Sequence, residues 1–199
     1  MALSLGGLLA AYLIGAIPVG MLVARLAGGV DIRSHGSGNI GATNVLRTLG
    51  PVAGVITLLG DVVKGYAAVW VAGTLGGAPA WVGAGAVAAV GGNCWPVFLR
   101  FRGGKGVATG LGALLAAAPW AVAPAAVVFA ALTTITRLVS LGSIAACVTF
   151  AVAGWVAYPP SIALATTVVT AIIIVRHRAN IQRLRAGTES RLGQRARVA

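Results

Sequence analysis

Seven apolar runs, separated by short polar gaps, restrict this chain more than any other feature in it. They fall at about residues 2–27, 52–75, 80–99, 107–117, 120–136, 139–157 and 161–175. A helix needs about 20 apolar residues to cross a hydrocarbon layer, and most of the runs meet that length. The fourth is short, and part of the glycine-rich segment before it is expected to complete it. With 58% hydrophobic and 9% charged residues, the chain lies far from soluble composition. The expected fold is an all-α integral membrane protein, a bundle of seven transmembrane helices.

The cations give the bundle a direction. With seven spans, alternate gaps hold Arg25, Arg33 and Arg47, then Arg100, Arg102 and Lys105, then Arg137, then every cation from Arg176 onward. The opposite gaps, around residues 76–79, 118–119 and 158–160, hold none. Positive loops stay on the cytoplasmic side, so the N-terminus is expected outside and the C-terminus in the cytoplasm. Joining the fourth and fifth runs across Ala118-Pro119 would put Arg137 opposite the earlier cations. Trp81 and Tyr158 fit an aromatic belt at the far interface. One membrane domain, residues 1–182, and a basic cytoplasmic tail, residues 183–199, account for the chain. A multi-pass protein of the bacterial inner membrane is the expected setting, with the bilayer as its first partner.

The net charge of +12 does not point to nucleic acid, because the cations lie between apolar runs and form no soluble basic face. Residues 1–24 carry no positive leader segment, and their apolar run is long enough to span. Cys94 and Cys147 have no ligand-like neighbours, so neither metal nor cofactor is expected.

Chemistry concentrates in the three long cytoplasmic gaps and their flanks. Arg100-Phe101-Arg102-Gly103-Gly104-Lys105-Gly106-Val107-Ala108-Thr109-Gly110 sets four glycines among three cations, a composition that suits a phosphate cradle. It is not a Walker A loop, because Leu99 and Gly106 stand where that motif needs Gly and Ser or Thr. The first gap, Gly36-Ser37-Gly38-Asn39-Ile40-Gly41-Ala42-Thr43-Asn44-Val45-Leu46-Arg47, offers hydroxyl, amide and guanidinium groups and a short interfacial helix. Asp31 reads as a local capping residue. Asp61 and Lys64 share a helix face three residues apart and can pair, as a structural couple or against substrate. Ser140 and Ser143 share a face, as do His177 and Asn180, and Glu189 can pair with the last basic cluster.

Three ordered stretches resemble the motifs of the bacterial acyl-phosphate-dependent glycerol-3-phosphate acyltransferases: residues 36–44, Phe101-Arg102-Gly103-Gly104-Lys105-Gly106-Val107-Ala108-Thr109, and His177-Arg178-Ala179-Asn180-Ile181. The resemblance extends to residues 61–65 and 139–144. It implies transfer of a fatty acyl group from acyl phosphate to the 1-position of glycerol 3-phosphate, giving lysophosphatidic acid and phosphate. It also implies substrate contacts from Ser37, Asn39, Asn44 and Arg47, and a phosphate loop at Gly103, Gly104, Lys105 and Gly106 with Thr109 beside it. Further site roles fall to Ser140, His177, Asn180 and Glu189, and Asp61 and Lys64 are counted as substrate contacts. His177, Lys105, Arg47 and Ser37 are the residues expected to act in catalysis. Asn93, Leu138 and Ala179 depart from the family pattern, which usually has His, Tyr and Glu there.

The sequence contains no Ser-His-Asp arrangement, no Cys beside a His, and no His followed at short spacing by Asp. Direct attack by the glycerol hydroxyl is therefore expected, with a substrate phosphate or His177 taking the proton. The acyl chain is expected to enter sideways from the bilayer. A transporter of organic phosphates is the rival reading, set back by the absence of an inverted repeat. Chain-length preference and oligomeric state are not legible.

Overall fold

In the computed structural model, which describes residues 1–193, the chain is a helical bundle. Its helices are α1 (Ala2–Ala16), α2 (Val19–Gly28), α3 (Ala42–Leu49), α4 (Pro51–Gly76), α5 (Pro79–Cys94), α6 (Val107–Ala117), α7 (Pro119–Thr136), α8 (Val139–Ala157), α9 (Pro160–Arg176) and α10 (Arg178–Arg185). Proline opens α4, α5, α7 and α9, where its missing N–H costs nothing and its fixed φ suits the first turn. Left-handed residues end α2, α4 and α7 at Gly29, Gly77 and Arg137.

Among the described residues, five helical stretches are long and apolar enough to cross a membrane: Ala2–Gly28, Pro51–Gly76, Pro79–Leu99, Pro119–Thr136 and Val139–Ala157. A sixth is α9 taken with α10, which are bent by 60°. The expected fourth run, α6, has only 11 residues, and the glycine segment does not extend it, because Gly106 at φ 83° is its left-handed N-cap. The first run is also interrupted. Pro18 has no N–H to continue the ladder, so α1 stops at Ala16 and α2 starts afresh at Val19.

Close backbone approach fixes the inner pairs. A Cβ on Gly15 would strike the Ala89 carbonyl and one on Gly92 the Tyr12 carbonyl, which seals α1 against α5. Gly65 against Thr109 O and Gly112 against Val62 O seal α4 against α6 in the same way. Such small-residue seams replace the hydrophobic drive that is absent between helices in lipid. The outer pair α7 and α8 packs mainly on itself and on α9, and α7 meets α6 only lightly. A seam therefore remains between α6 and α7.

Eleven residues rise ~16 Å, about half of a ~30 Å hydrocarbon layer, so α6 alone falls short of a crossing. The glycine loop that precedes it lies beside the end of α9, whose last residue, Arg176, reaches the Gly103 and Gly104 carbonyls.

Residue 183, where the basic tail was expected to begin, lies in α10. Beyond α10 the chain folds back: Thr188 N donates to Arg183 O at 2.9 Å, and Leu192 N to Arg137 O at 2.7 Å. Residues 194–199 of that tail, with Arg195 and Arg197, lie outside the described residues.

Candidate active site

Residues 31–41 form a loop suspended from one amide. Asp31 caps a short turn of helix at residues 32–34 and pairs with Arg33, the local role expected of it. The loop then turns through Gly36 and Gly38 at φ 56° and 68°. Asn44, on the first turn of α3, gathers it in: Nδ2 donates to His35 O at 3.0 Å and Asn39 O at 2.9 Å, and Oδ1 accepts from Ser37 N at 2.9 Å. Asn44 is 2% exposed, and both hydrogens of its amide are spent on the loop. It was expected to touch substrate; it borders the cavity together with Ser37 and Asn39, and it also positions both of them. Arg47 follows three residues later on the same face of α3. One of its terminal nitrogens donates to Ser190 O at 3.1 Å, while buried Nε has no hydrogen-bond partner among the described residues.

The glycine loop is held from two sides. Gly104 N donates to Asn93 O at 3.0 Å. From α9, Arg176 donates through Nε to Gly104 O at 3.0 Å and through a terminal nitrogen to Gly103 O at 2.9 Å, with its guanidinium 5.6 Å from the Trp95 ring centre. A trans peptide points its N–H opposite to its C=O, so the Arg176 clamp turns the Lys105 N–H away from α9. A side chain at Gly103 would strike the carbonyls of Asn93 and Cys94, and this contact makes glycine obligatory there. Lys105 is half-buried at the cavity wall; burial is the main cause that lowers its pKa to about 8, with Glu189 opposing and nearby arginines adding to the fall. Thr109 Oγ1 is buried beside it with no partner among the described residues.

At the break between α9 and α10, His177 is 2% exposed. Its Nδ1 lies 2.8 Å from Ile173 O; a carbonyl only accepts, so Nδ1 carries the proton and neutral His177 keeps a lone pair on Nε2. Burial is the main cause that lowers its pKa to about 4, and the ring is neutral near pH 7. Glu189, brought back by the chain after α10, ties the rim together. It accepts from Ser140 at 2.8 Å, Asn180 at 2.6 Å and Arg183 at 2.7 Å. Burial alone would raise its pKa, but these bonds outweigh it and hold the carboxylate low.

All these parts border one cavity of about 690 Å³. Ser37, Asn39, Asn44, Arg47, Gly104, Lys105, Gly106, Thr109, Ser140, His177, Asn180 and Glu189, all expected as site residues, lie on its wall, and so does Asp61. Gly103 is not among its wall residues and serves instead as the loop's bend against Asn93. Lys64 is likewise absent from the wall. It is saturated behind it by Asp61 Oδ1 at 2.7 Å, Asn93 Oδ1 at 2.8 Å and Ile17 O at 2.7 Å, the last in the chain break made by Pro18. Away from the polar end the cavity becomes a slot walled by Leu111, Leu114, Val122, Ala125, Phe129, Ala146, Phe150 and Val169. Leu111 and Ala126 border it and are also exposed on the outer face, so the slot opens at the α6–α7 seam. Arg176 and Arg183 were not among the expected site residues. The first is revealed only by its carbonyl partners on a distant loop.

The glycerol-3-phosphate acyltransferase family model matches residues 5–187. A curated glycerol-3-phosphate acyltransferase of Geobacter sulfurreducens is 52% identical over 183 residues, spanning 91% of this chain and 93% of the relative. Two crystal structures of PlsY (YgiH), an integral membrane glycerol 3-phosphate acyltransferase, have the same fold. The glycerol 3-phosphate form matches with a TM-score of 0.90 at 40% identity, covering 96% of each chain. The lysphosphatidic acid form matches with a TM-score of 0.88 at 38% identity, covering 96% of this chain and 95% of the other.

Proposed function

This chain belongs to the glycerol-3-phosphate acyltransferase family, and on that premise we propose that it moves a fatty acyl group from an acyl phosphate to the 1-hydroxyl of glycerol 3-phosphate, releasing lysophosphatidic acid and phosphate. The observation that carries the reading is the continuity of one cavity. Its polar end holds Lys105, Arg47 and the glycine loop, and its other end is an apolar slot open at the α6–α7 seam. A phosphorylated acyl chain has that polarity, and it can slide in from lipid without crossing water.

The glycerol hydroxyl attacks the acyl carbonyl carbon, the bond from that carbon to the phosphate oxygen breaks, and phosphate leaves. Lys105, Arg47 and the free loop N–H groups neutralise the departing charge, work best done by preorganised donors in a partly dehydrated site. The hydroxyl proton goes to a phosphate oxygen. A phosphate monoester, with a second pKa of about 6, is a better acceptor near neutrality than His177 at about 4, since a base works best with its pKa near the working pH. His177 Nε2 accepts and aims the hydroxyl. No acyl-enzyme forms: the Ser140 hydroxyl on the cavity wall donates to Glu189, but Asn180, Ser140 and Arg183 hold that carboxylate low and make it too weak a base to activate a serine.

Seven passes, an external N-terminus and a cytoplasmic site in the bacterial inner membrane are the arrangement we propose. The support is the gathering of Arg25, Arg47, Lys105, Arg137 and Arg176 at one end, with none at residues 76–79, 118–119 or 158–160. The test is donor discrimination by purified protein in detergent, with glycerol 3-phosphate as acceptor. Acyl phosphate should yield lysophosphatidic acid, and acyl thioesters should not. Equal rates from both donors, or no product from acyl phosphate, would overturn the reading.

A further inference from the structure

Asn93, at the last turn of α5, is 6% exposed and borders the cavity beside the glycine loop. Two of its groups have defined partners: Oδ1 accepts from Lys64 Nζ at 2.8 Å, and its carbonyl accepts from Gly104 N at 3.0 Å. An ammonium only donates, so Lys64 dictates which way the amide faces. The oxygen must point to Lys64, and the NH₂ must point to the other side. That side is the loop, since a Cβ on Gly104 would stand 3.0 Å from Asn93 Nδ2. Nothing among the described residues accepts from this nitrogen. A donor on the cavity wall with no acceptor among the described residues is open to a ligand.

We infer that Asn93 binds substrate, its NH₂ donating to an oxyanion cradled in the glycine loop while the Lys64–Asp61 couple holds the amide in that orientation. The oxyanion is a phosphate oxygen of the acceptor or of the acyl donor. This rests on the acyl-transfer reading for the identity of the ligand, but not for the presence of the donor. Lys64 and Asp61 thereby act as positioning residues, Lys64 without touching the cavity. The same logic makes a neutral imidazole equivalent to the amide: one ring nitrogen accepts from Lys64, so the other must carry the proton and donate into the cavity.

Two variants in purified protein test this. Asn93→His keeps both functions, whereas Asn93→Asp keeps the acceptor for Lys64 and removes the donor. Asn93→His should bind glycerol 3-phosphate within about threefold of the parent, and Asn93→Asp should lose at least about tenfold in binding or turnover with an unchanged melting temperature. The Michaelis constant that rises, for glycerol 3-phosphate or for acyl phosphate, names the oxyanion. Full activity in Asn93→Asp, or equal losses in both variants, would overturn the inference. Should Asn93→Asp not fold, the side-chain amide ¹H–¹⁵N resonance of the parent decides: it should shift downfield on titration with glycerol 3-phosphate or inorganic phosphate, and an unmoved resonance would sink the idea. A parent protein that shifts this resonance yet forms no lysophosphatidic acid would overturn only the acyl-transfer reading.

Discussion

Replacing Arg176 by Gln should uncouple the glycine loop from α9 without touching any group proposed to contact substrate. Arg176 donates two charge-assisted bonds to the Gly103 and Gly104 carbonyls, at 2.9 and 3.0 Å, and stacks near Trp95. Bonds to a charged group contribute ~1.5–3 kcal/mol each when buried. The guanidinium is half-exposed, so the lower end applies, and one of the two bonds can be partly replaced by the Gln amide. A net loss of about 2 kcal/mol remains, equivalent to about 30-fold in an equilibrium constant. Because the loop is the phosphate cradle, that loss should appear mainly in the Michaelis constant for glycerol 3-phosphate, with kcat reduced less. Steady-state kinetics at saturating acyl phosphate measures both, and the melting temperature shows whether the bundle is intact. Arg176→Lys should recover part of the affinity, because a point charge replaces one bond of the fork. Unchanged affinity in Arg176→Gln would refute the view that α9 shapes the loop.

Three further outcomes follow from the same geometry. Lys105 is charged below its pKa of about 8 and loses its proton above it; kcat/KM for glycerol 3-phosphate in the free enzyme should therefore fall as pH rises through about 8, and a profile flat to pH 9.5 would contradict this. Gly103→Ala should raise the glycerol 3-phosphate Michaelis constant about tenfold or more, since the new methyl strikes fixed carbonyls of Asn93 and Cys94; kinetics within twofold of the parent would show that the loop can yield. Ala146→Phe, placed six residues or ~9 Å along α8 from Ser140, should block the slot and lower turnover of 16-carbon donors at least tenfold relative to 8-carbon donors, as read by paired donor assays.

The long helices were legible because apolar length is a one-dimensional property, and proline marked the starts of α4, α5, α7 and α9. The break at Pro18 was harder to anticipate, since proline is tolerated in membrane helices when a neighbour satisfies the freed backbone; here Lys64 supplies that bond to Ile17 O. Resemblance and composition gathered the right side chains for the cavity but not their division of labour. Lys64 is saturated internally, a fact that depends on acceptors far away in sequence. Arg176 looked like one more cation of a helix end, because its partners are main-chain carbonyls 72 and 73 residues distant, which leave no side-chain signature. Where α6 begins is decided by the Gly106 cap, not by hydropathy. The apolar slot arises from the light packing of α7 on α6, which no periodicity encodes.

Rapid-quench mixing of purified enzyme with acyl phosphate, with and without glycerol 3-phosphate, tests the central claim of direct transfer within one cavity. The account predicts phosphate release only when glycerol 3-phosphate is present, one for each lysophosphatidic acid formed, and no mass increase on the protein. A burst of phosphate equal to the enzyme in the absence of acceptor, with an acyl adduct on any residue, would contradict it.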